Sequence, residues 1–277
     1  LGREGENMNK EEKENFDLYE GEDIEEYMEM KESLDAKAVS GLPSIVERFY
    51  KSAVEVSHRN EVPAAISAFV LLGNICKDFV RIPNGRNIED TRVHFCWVQT
   101  SGTGKSTLWN FVGPVSESVF KKINDSKKVH PPLIRQDGHE PLPRKFNTFG
   151  VTDYTDSVLV GKWRLGKTEE GEDEMKRQAG LLEGSGLAHW DEFEYSGIFK
   201  TSQHKEQSIV YLNTLMNSLG GQSWVISKAL DSMEGLEMKC YSERSVLAMT
   251  YPPKNLNDVM AEKGVLQRML LYVWEVP

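Results

Sequence analysis

The stretch RVHFCWVQTSGTGKSTLWNF, residues Arg92 to Phe111, decides the fold that we expect for this chain. Its first part, Arg92 to Val98, is β-branched, aromatic or apolar, and this composition predicts a short buried strand. The segment Gly102 to Gly104 follows as a loop with little side-chain bulk, and Lys105 opens a predicted helix. Strand, glycine loop and helix in this order are the context that a phosphate-binding loop requires.

The residue types of this loop suit the binding of phosphate groups. Glycines let backbone N–H groups turn towards an anion, and the helix N-terminus adds partial positive charge. Lys105 would supply a full charge to the β- and γ-phosphates, and the Ser106 hydroxyl is placed for Mg²⁺. The predicted nucleotide-binding residues are Gln99, Thr100, Ser101, Gly102, Thr103, Gly104, Lys105, Ser106 and Thr107.

One residue departs from the consensus G-x-x-x-x-G-K-[ST], because Gln99 stands where the first glycine is expected. The alternative interpretation is a glycine turn before an ordinary helix with an exposed lysine.

Composition limits the classes to which the chain can belong. The 277 residues are enough for a large domain with a substantial core. The three cysteines lie far apart without C-x-x-C spacing, which argues against a disulfide scaffold or a zinc site and favours a reducing, cytoplasmic location. The longest apolar run, Val62 to Cys76, is interrupted by polar residues and is too short to span a membrane.

Charge is unevenly distributed along the chain. Residues 1–40 hold 14 of the 43 Asp and Glu residues but only 5 of the 33 Lys and Arg residues. The net charge of −10 therefore belongs mainly to this segment and does not exclude nucleic-acid binding by the rest. We expect an acidic, partly disordered arm over residues 1–40, which could alternatively dock on a neighbouring subunit. An N-terminal helical layer over 41–85 and an ATPase core over 86–277 are expected to follow.

A second landmark is GLAHWDEFE, residues Gly186 to Glu194. A short strand over Leu187–Trp190 is predicted to end at Asp191 and Glu192. A carboxylate in the position of Asp191 can hold Mg²⁺, and Glu192 can act as general base on an attacking water. The alternative is an acidic turn without a chemical role.

The C-terminal part adds another buried strand, Ser245 to Met249, which ends at Thr250. If this strand lies beside the one that ends at Asp191, Thr250 can touch a γ-phosphate or position water. Strands and helices alternate along the chain, which predicts an α/β fold with a mostly parallel sheet covered by helices on both faces. A ligand is then expected at the carboxyl ends of the strands.

Three local expectations concern the connections between these elements. Gly113-Pro114 should end or kink the helix that starts at Lys105. Thr168 to Gln178 is expected to be a charged loop. Trp224–Ala229 and Glu237–Tyr241 are expected to form a hairpin that is separate from the strand Ser245–Met249.

With these pieces in order, the chain resembles the DUF3987-type helicase/primase-associated ATPases of viruses, plasmids and integrated elements. The resemblance runs from about Pro63 to the C-terminus. It rests on the apolar helix before the first strand, QTSGTGKST, HWDEFE, and SVLAMTYPP followed by GVLQRMLL. The last pattern also resembles the end of MCM-like and superfamily-3 helicase cores. Gln99 and His189 depart from the family pattern.

The resemblance implies an AAA+-like P-loop NTPase that hydrolyses ATP with Mg²⁺. It further implies a homo-oligomeric ring, a hexamer, that acts on DNA during replication, with single-stranded DNA as the expected partner. The adjacent Asp191 and Glu192 suit AAA+-like and superfamily-3 ATPases better than RecA-like ones.

Two further candidates follow from the same resemblance. The hairpin Trp224–Tyr241 carries Lys228 and Lys239 and is a candidate DNA contact, with an ordinary surface hairpin as the alternative. Arg268, after a glycine turn, is a candidate arginine finger that reaches a neighbouring subunit. An intramolecular salt bridge or a sensor role within its own chain are the alternatives.

Three functions remain open from the sequence. The first is an ATP-driven DNA translocase or helicase. The second is a P-loop ATPase that loads, packages or remodels without unwinding nucleic acid. The third is a nucleotide-binding structural module without turnover, against which the Asp191-Glu192 pair argues.

Overall fold

The computed structural model describes residues 21–57, 60–126, 145–151, 156–167, 173–193, 206–219, 224–229, 237–251 and 264–274. Its helices are α1 (Gly21–Ala38), α2 (Ser44–Ser57), α3 (Glu61–Cys76), α4 (Lys105–Asp125), α5 (Asp156–Val160) and α6 (Glu206–Met216). Its strands are β1 (Arg81–Asn84), β2 (Asn87–Asp90), β3 (Phe95–Gln99), β4 (Phe146–Val151), β5 (Gly161–Lys167), β6 (Asp173–Ala179), β7 (Gly184–Trp190), β8 (Trp224–Ala229), β9 (Glu237–Thr250) and β10 (Leu270–Trp274).

The main sheet has five parallel strands in the order β10–β3–β9–β7–β4, and β8 adds to β9 in the antiparallel sense. Because the five strands are parallel, their carboxyl ends lie at the same edge of the sheet. The last residues of β10, β3, β9 and β7 there are Trp274, Gln99, Thr250 and Trp190. This arrangement confirms the predicted α/β class with a mostly parallel sheet.

Helices cover both faces of this sheet, as alternate residues of β3 demonstrate. Phe95 and Trp97 belong to a buried cluster with residues of α2, α3 and α4. Cys96 and Val98 belong to a second buried cluster with residues of α5 and α6. Burial on both faces explains why the strand is apolar from Phe95 to Val98 instead of alternating between apolar and polar residues.

Strand β9 is continuous over 14 residues, which corrects the expectation of two separate strands. The polar segment Ser242–Ser245 suggested a break, but these residues are buried within the strand and form hydrogen bonds. The Arg244 guanidinium donates to the carbonyls of Leu182, Glu183, Ser185 and Asn147. A buried polar strand is tolerated here because its groups are satisfied.

Helix α4 runs through Gly113-Pro114 without ending, as a single helix of 21 residues. Pro114 cannot donate to the carbonyl of Asn110. Asn110 and Pro114 are both exposed, so water can satisfy that carbonyl and the helix continues.

Two small antiparallel hairpins lie outside the main sheet. Strands β1 and β2 form one of them, and its turn contains the expected boundary between residues 85 and 86. Strands β5 and β6 form the other, so residues 173–178 are not in a loop, contrary to expectation. Within the acidic arm, residues 21–38 form α1, whereas residues 1–20 lie outside the described part. The division into three domains stays a prediction.

None of the helices in the described part combines the length and the apolar composition that crossing a bilayer requires.

Replacing Arg244 by Met should destabilise the fold, because several buried carbonyls would lose their donors. We expect a loss of about 3 kcal/mol in the free energy of unfolding, measured by urea denaturation. Arg164, which is exposed on β5, provides the matched control, and Arg164→Met should change stability by less than about 0.5 kcal/mol. Equal effects of the two substitutions would show that the Arg244 network does not support the sheet.

Candidate functional site

A cavity of about 580 Å³ opens at the carboxyl edge of the sheet, within the size range of small-molecule sites. Its walls come from the loop after β3, the start of α4, the ends of β7, β9 and β10, helix α1, and the junction between α2 and α3. The lining residues are Met28, Lys31, Ser57, Asn60, Gln99, Ser101, Gly102, Thr103, Gly104, Lys105, Ser106, Thr107, Asp191, Glu192, Met249, Thr250, Tyr251 and Trp274.

The glycine loop requires glycine at two positions for different reasons. Gly102 and Gly104 have φ angles of +78° and +86°, in the left-handed region that disfavours side chains. A Cβ on Gly102 would meet nothing within 4 Å. A Cβ on Gly104 would lie 2.7 Å from the carbonyl oxygen of Ser57 and 3.1 Å from Nδ2 of Asn60. Gly104 is therefore also the point at which the loop packs against the helical layer.

Asn60 holds the loop to the junction between α2 and α3. Its Nδ2 donates to the carbonyl of Ser57 at 3.0 Å and to the carbonyl of Thr103 at 2.8 Å. The side chain makes no capping hydrogen bond to its own helix. Sequence analysis did not identify Asn60, because an asparagine before a helix predicts a cap and not a contact with a loop 43 residues away.

Lys105 is buried at the first position of α4, with 8 % of its surface exposed. Its Nζ donates to the carbonyls of Gln99 and Thr100, the latter at 2.7 Å, and lies 4.8 Å from the centre of the Tyr251 ring. Burial lowers the pKa of Lys105, and the charge of Asp191 opposes this shift. Lys105 is therefore not exposed, contrary to what the alternative interpretation expected of it.

Gln99, at the first position of the motif, directs its polar groups into the protein. Its Oε1 accepts a hydrogen bond of 2.6 Å from the Trp97 indole, and its carbonyl accepts one from Lys105. Glutamine is accommodated at this position because Trp97, on the same face of β3, provides a donor.

Asp191 and Glu192 follow β7 and line the same cavity. Glu192 has a φ of +48°, the only positive value at a non-glycine residue in the described part of the chain. Its N–H donates to Oδ1 of Asp191 at 3.1 Å, and the N–H of Phe193 donates to the carbonyl of Met249 at 3.0 Å. Such strain is typical of functional sites and costs on the order of 1–3 kcal/mol.

Thr250 is buried at the end of β9 and lies opposite Val98 of β3 in the sheet register. Because β9 also pairs with β7, its strand lies beside the one that ends before Asp191, which confirms this expectation. The glycine loop, Thr250 and the two carboxylates therefore follow three adjacent strands.

Ser106 and Asp191 both line the cavity. One hydroxyl and one carboxylate suit Mg²⁺, which commonly takes few protein ligands and completes its shell with phosphates and water. No group of three or more His, Cys, Asp or Glu side chains suited to a metal occurs among the described residues. Within the described part of the chain, Ser106 and Asp191 would therefore supply only part of a coordination shell.

Arg268 does not line the cavity. It precedes the first residue of β10, whereas the cavity lies at the carboxyl end of that strand. The length of β10 therefore separates Arg268 from the cavity by about 15 Å. Its guanidinium donates to Oδ1 of Asn217 at 2.8 Å and to the carbonyl of Gly264 at 2.6 Å. Arg268 therefore lies away from the cavity of its own chain, and its role on a neighbouring subunit stays a prediction.

Lys228 and Lys239 lie in the hairpin of β8 and β9, and their side chains are outside the described part of the structure. In the register, Lys228 pairs with Met238 and Ser227 pairs with Lys239. Directly opposed residues share a face, so the two lysine positions belong to opposite faces of the hairpin. DNA contact by these lysines stays a prediction.

His189, the other departure from the family pattern, joins β7 to α4. Its ring stacks on Trp109 with centres 3.7 Å apart and planes 6° apart. Burial lowers the pKa of His189 to about 3, so the ring is neutral at physiological pH. The stack fixes the helix that begins at Lys105 against the strand that ends before Asp191.

Comparison of the sequence with models of known protein families and with curated proteins finds no match.

The two glycines allow the close approach of the loop to be tested by a matched pair of substitutions. Gly102→Ala and Gly104→Ala both introduce a side chain at positive φ, which costs on the order of 1–2 kcal/mol. Only Gly104→Ala also places a Cβ against the carbonyl of Ser57. We expect it to lower the free energy of unfolding by at least about 1 kcal/mol more than Gly102→Ala does, as measured by urea denaturation. Equal losses would contradict the packing of Gly104 described here.

Proposed function

We propose that this protein binds ATP together with Mg²⁺ and hydrolyses it. The observation that carries the proposal is the position of Lys105. Its buried ammonium group makes no ion pair among the described residues. Lys105 lines the same cavity as Asp191 and Glu192. A buried cation beside a glycine loop and a helix N-terminus favours a polyanion as ligand.

In this proposal, each group that lines the cavity has a task in phosphoryl transfer. The loop amides and the start of α4 would hold the phosphate chain, with Lys105 adding charge at the β- and γ-phosphates. Ser106 and Asp191 would hold Mg²⁺, which neutralises charge on the transferred group when bound. Glu192 would take the proton of the attacking water, and Thr250 would orient that water or the terminal phosphate.

The strained turn at Glu192 supports its role as the base. A carboxylate must point at the attacking water to serve as a general base, and its orientation must be held. The hydrogen bonds of Glu192 and Phe193 hold the backbone in a conformation that the chain would otherwise avoid.

We further propose that hydrolysis drives movement along DNA by a ring of subunits inside the cell. The sequence resemblance and the position of Thr250 between the loop and the carboxylates support an AAA+-like motor. A ring would also give Arg268, which is exposed and remote from its own cavity, a neighbouring cavity to complete. An ATPase that loads or packages without unwinding nucleic acid is the alternative.

Two substitutions separate nucleotide binding from hydrolysis. Lys105→Ala should abolish ATP binding or turnover, because it removes the charge on the phosphates. Glu192→Gln should retain binding and lower the hydrolysis rate by a factor of about 10² or more, because only the base is lost. Binding is measured by calorimetry and turnover by phosphate release.

Lys121, exposed on the same helix as Lys105, provides the control, and Lys121→Ala should leave both measurements unchanged. Hydrolysis at the parent rate by the Glu192→Gln protein would contradict the assignment of the base.

The action on DNA is tested by ATPase stimulation. We expect single-stranded DNA to increase turnover and a labelled duplex to be unwound in the presence of ATP. Because Lys228 and Lys239 belong to opposite faces of the hairpin, a strand that runs along one face should respond to only one of the two alanine substitutions. In that variant alone, the plot of the logarithm of the binding constant against the logarithm of the salt concentration should become less steep by about one unit. Turnover that ignores DNA would favour the loading or packaging alternative.

A further inference from the structure

The cavity has two chemically different ends, and the order of the strands places them on opposite sides of the glycine loop. Strand β3, which leads into the loop, lies between β10 and β9. Asp191 and Glu192 follow β7, beyond β9, whereas Trp274 ends β10 on the other side, opposite Gln99 in the register. A linear ligand held at the loop therefore has its two ends in different surroundings.

Helix α1 forms the wall at the Trp274 end. The Tyr27 ring lies 4.9 Å from the Trp274 ring, and Nζ of Lys31 lies 5.3 Å from its centre. Lys31 is buried and paired with Asp35, which accepts a hydrogen bond of 3.3 Å from the hydroxyl of Tyr272. These contacts fix α1 on β10, so this part of the cavity wall is preformed.

Two polar atoms on the cavity-lining residues are buried without a hydrogen-bond partner in the described part of the chain. They are the hydroxyl of Ser57 and Nε1 of Trp274. Ser57 is 2 % exposed, and its carbonyl oxygen lies 2.7 Å from the position that a Cβ on Gly104 would take. Unpaired buried polar groups are rare because each costs free energy, and a ligand that reached these two atoms would supply partners that the described residues do not.

We propose that the end of the cavity formed by Met28, Ser57 and Trp274 binds the nucleoside part of the nucleotide. The inference rests on the proposed function, because hydrolysis requires the terminal phosphate beside Asp191 and Glu192. The base and ribose then lie at the opposite end of the phosphate chain. Met28 and the Trp274 ring offer apolar surface to a planar base, which is typical of such sites.

The polar atoms of this end complete the recognition. The Trp274 indole can only donate a hydrogen bond, and every nucleobase has ring nitrogens or carbonyl oxygens that accept one. The Ser57 hydroxyl can both donate and accept, and the carbonyl of the same residue lies beside Gly104 of the loop. The hydroxyl therefore suits the ribose or the adjoining edge of the base.

The test compares two probes that share the phosphate chain and differ in the nucleoside. Binding of a non-hydrolysable ATP analogue and of inorganic tripolyphosphate, both with Mg²⁺, is measured by calorimetry. Trp274→Phe keeps the ring and removes the N–H, and Ser57→Ala removes the hydroxyl. Each should weaken binding of the ATP analogue about five- to tenfold and change binding of tripolyphosphate less than twofold.

Trp163 provides a matched control for the tryptophan substitution. Its Nε1 is also buried without a partner among the described residues, but Trp163 does not line the cavity. Trp163→Phe should therefore leave the affinity for both probes unchanged. Lys105→Ala should weaken both probes, because it acts on the phosphates that they share.

The outcomes separate the two proposals. If the parent protein binds neither probe, the proposed function fails and the nucleoside site fails with it. If Lys105→Ala weakens both probes while Trp274→Phe and Ser57→Ala leave the ATP analogue unchanged, only the nucleoside site is wrong. An equal loss of both probes in the Trp274→Phe and Ser57→Ala proteins would also overturn it, because the effect would not depend on the nucleoside.

Discussion

The contact between Gly104 and the carbonyl of Ser57 determines where the glycine loop lies. Asn60 reinforces this contact by donating one amide group to both sides of it, to Ser57 and to Thr103. The loop is thereby attached to the α2–α3 layer and not only to β3 and α4. Since α4 begins at Lys105, immediately after the contact, the direction of its N-terminus and the position of the lysine both depend on it.

Two features that reduce the free energy of unfolding lie in the same cavity. Lys105 is a buried cation whose pKa is lowered by desolvation, and Glu192 has a strained backbone. Neither feature stabilises the fold, and such features persist only where the surrounding structure holds them. The sheet that carries them contains buried hydrogen-bond networks, including the Arg244 guanidinium and its four carbonyl acceptors. A site organised before its ligand arrives is what the hydrolysis proposed here would require.

The parts of the fold that the sequence predicted depend on contacts between near neighbours. The strand, the loop and the helix around Lys105 are contiguous. The pairing of the strands that end at Thr250 and before Asp191 joins distant segments, and the sequence patterns indicate it only as a condition for the role of Thr250. The role of Asn60 and the cavity wall from α1 could not be predicted, because both depend on contacts between distant segments. The acidity of residues 1–40 suggested a solvated arm. Lys31 and Asp35 are nevertheless buried, and their ion pair compensates the burial of the two charges. The polar residues of β9 likewise suggested a break in the strand, although they are buried and form hydrogen bonds.

The most direct measurement is the structure of the protein with Mg²⁺ and a non-hydrolysable ATP analogue. We predict that the phosphate chain occupies the loop, within hydrogen-bond distance of Nζ of Lys105, with the terminal phosphate beside Glu192. Lys105 should then exchange at least one of its bonds to the carbonyls of Gln99 and Thr100 for a phosphate oxygen. An analogue bound outside the cavity, or a cavity that stays empty at saturating analogue while Lys105 keeps both carbonyl bonds, would contradict the assignment of this site.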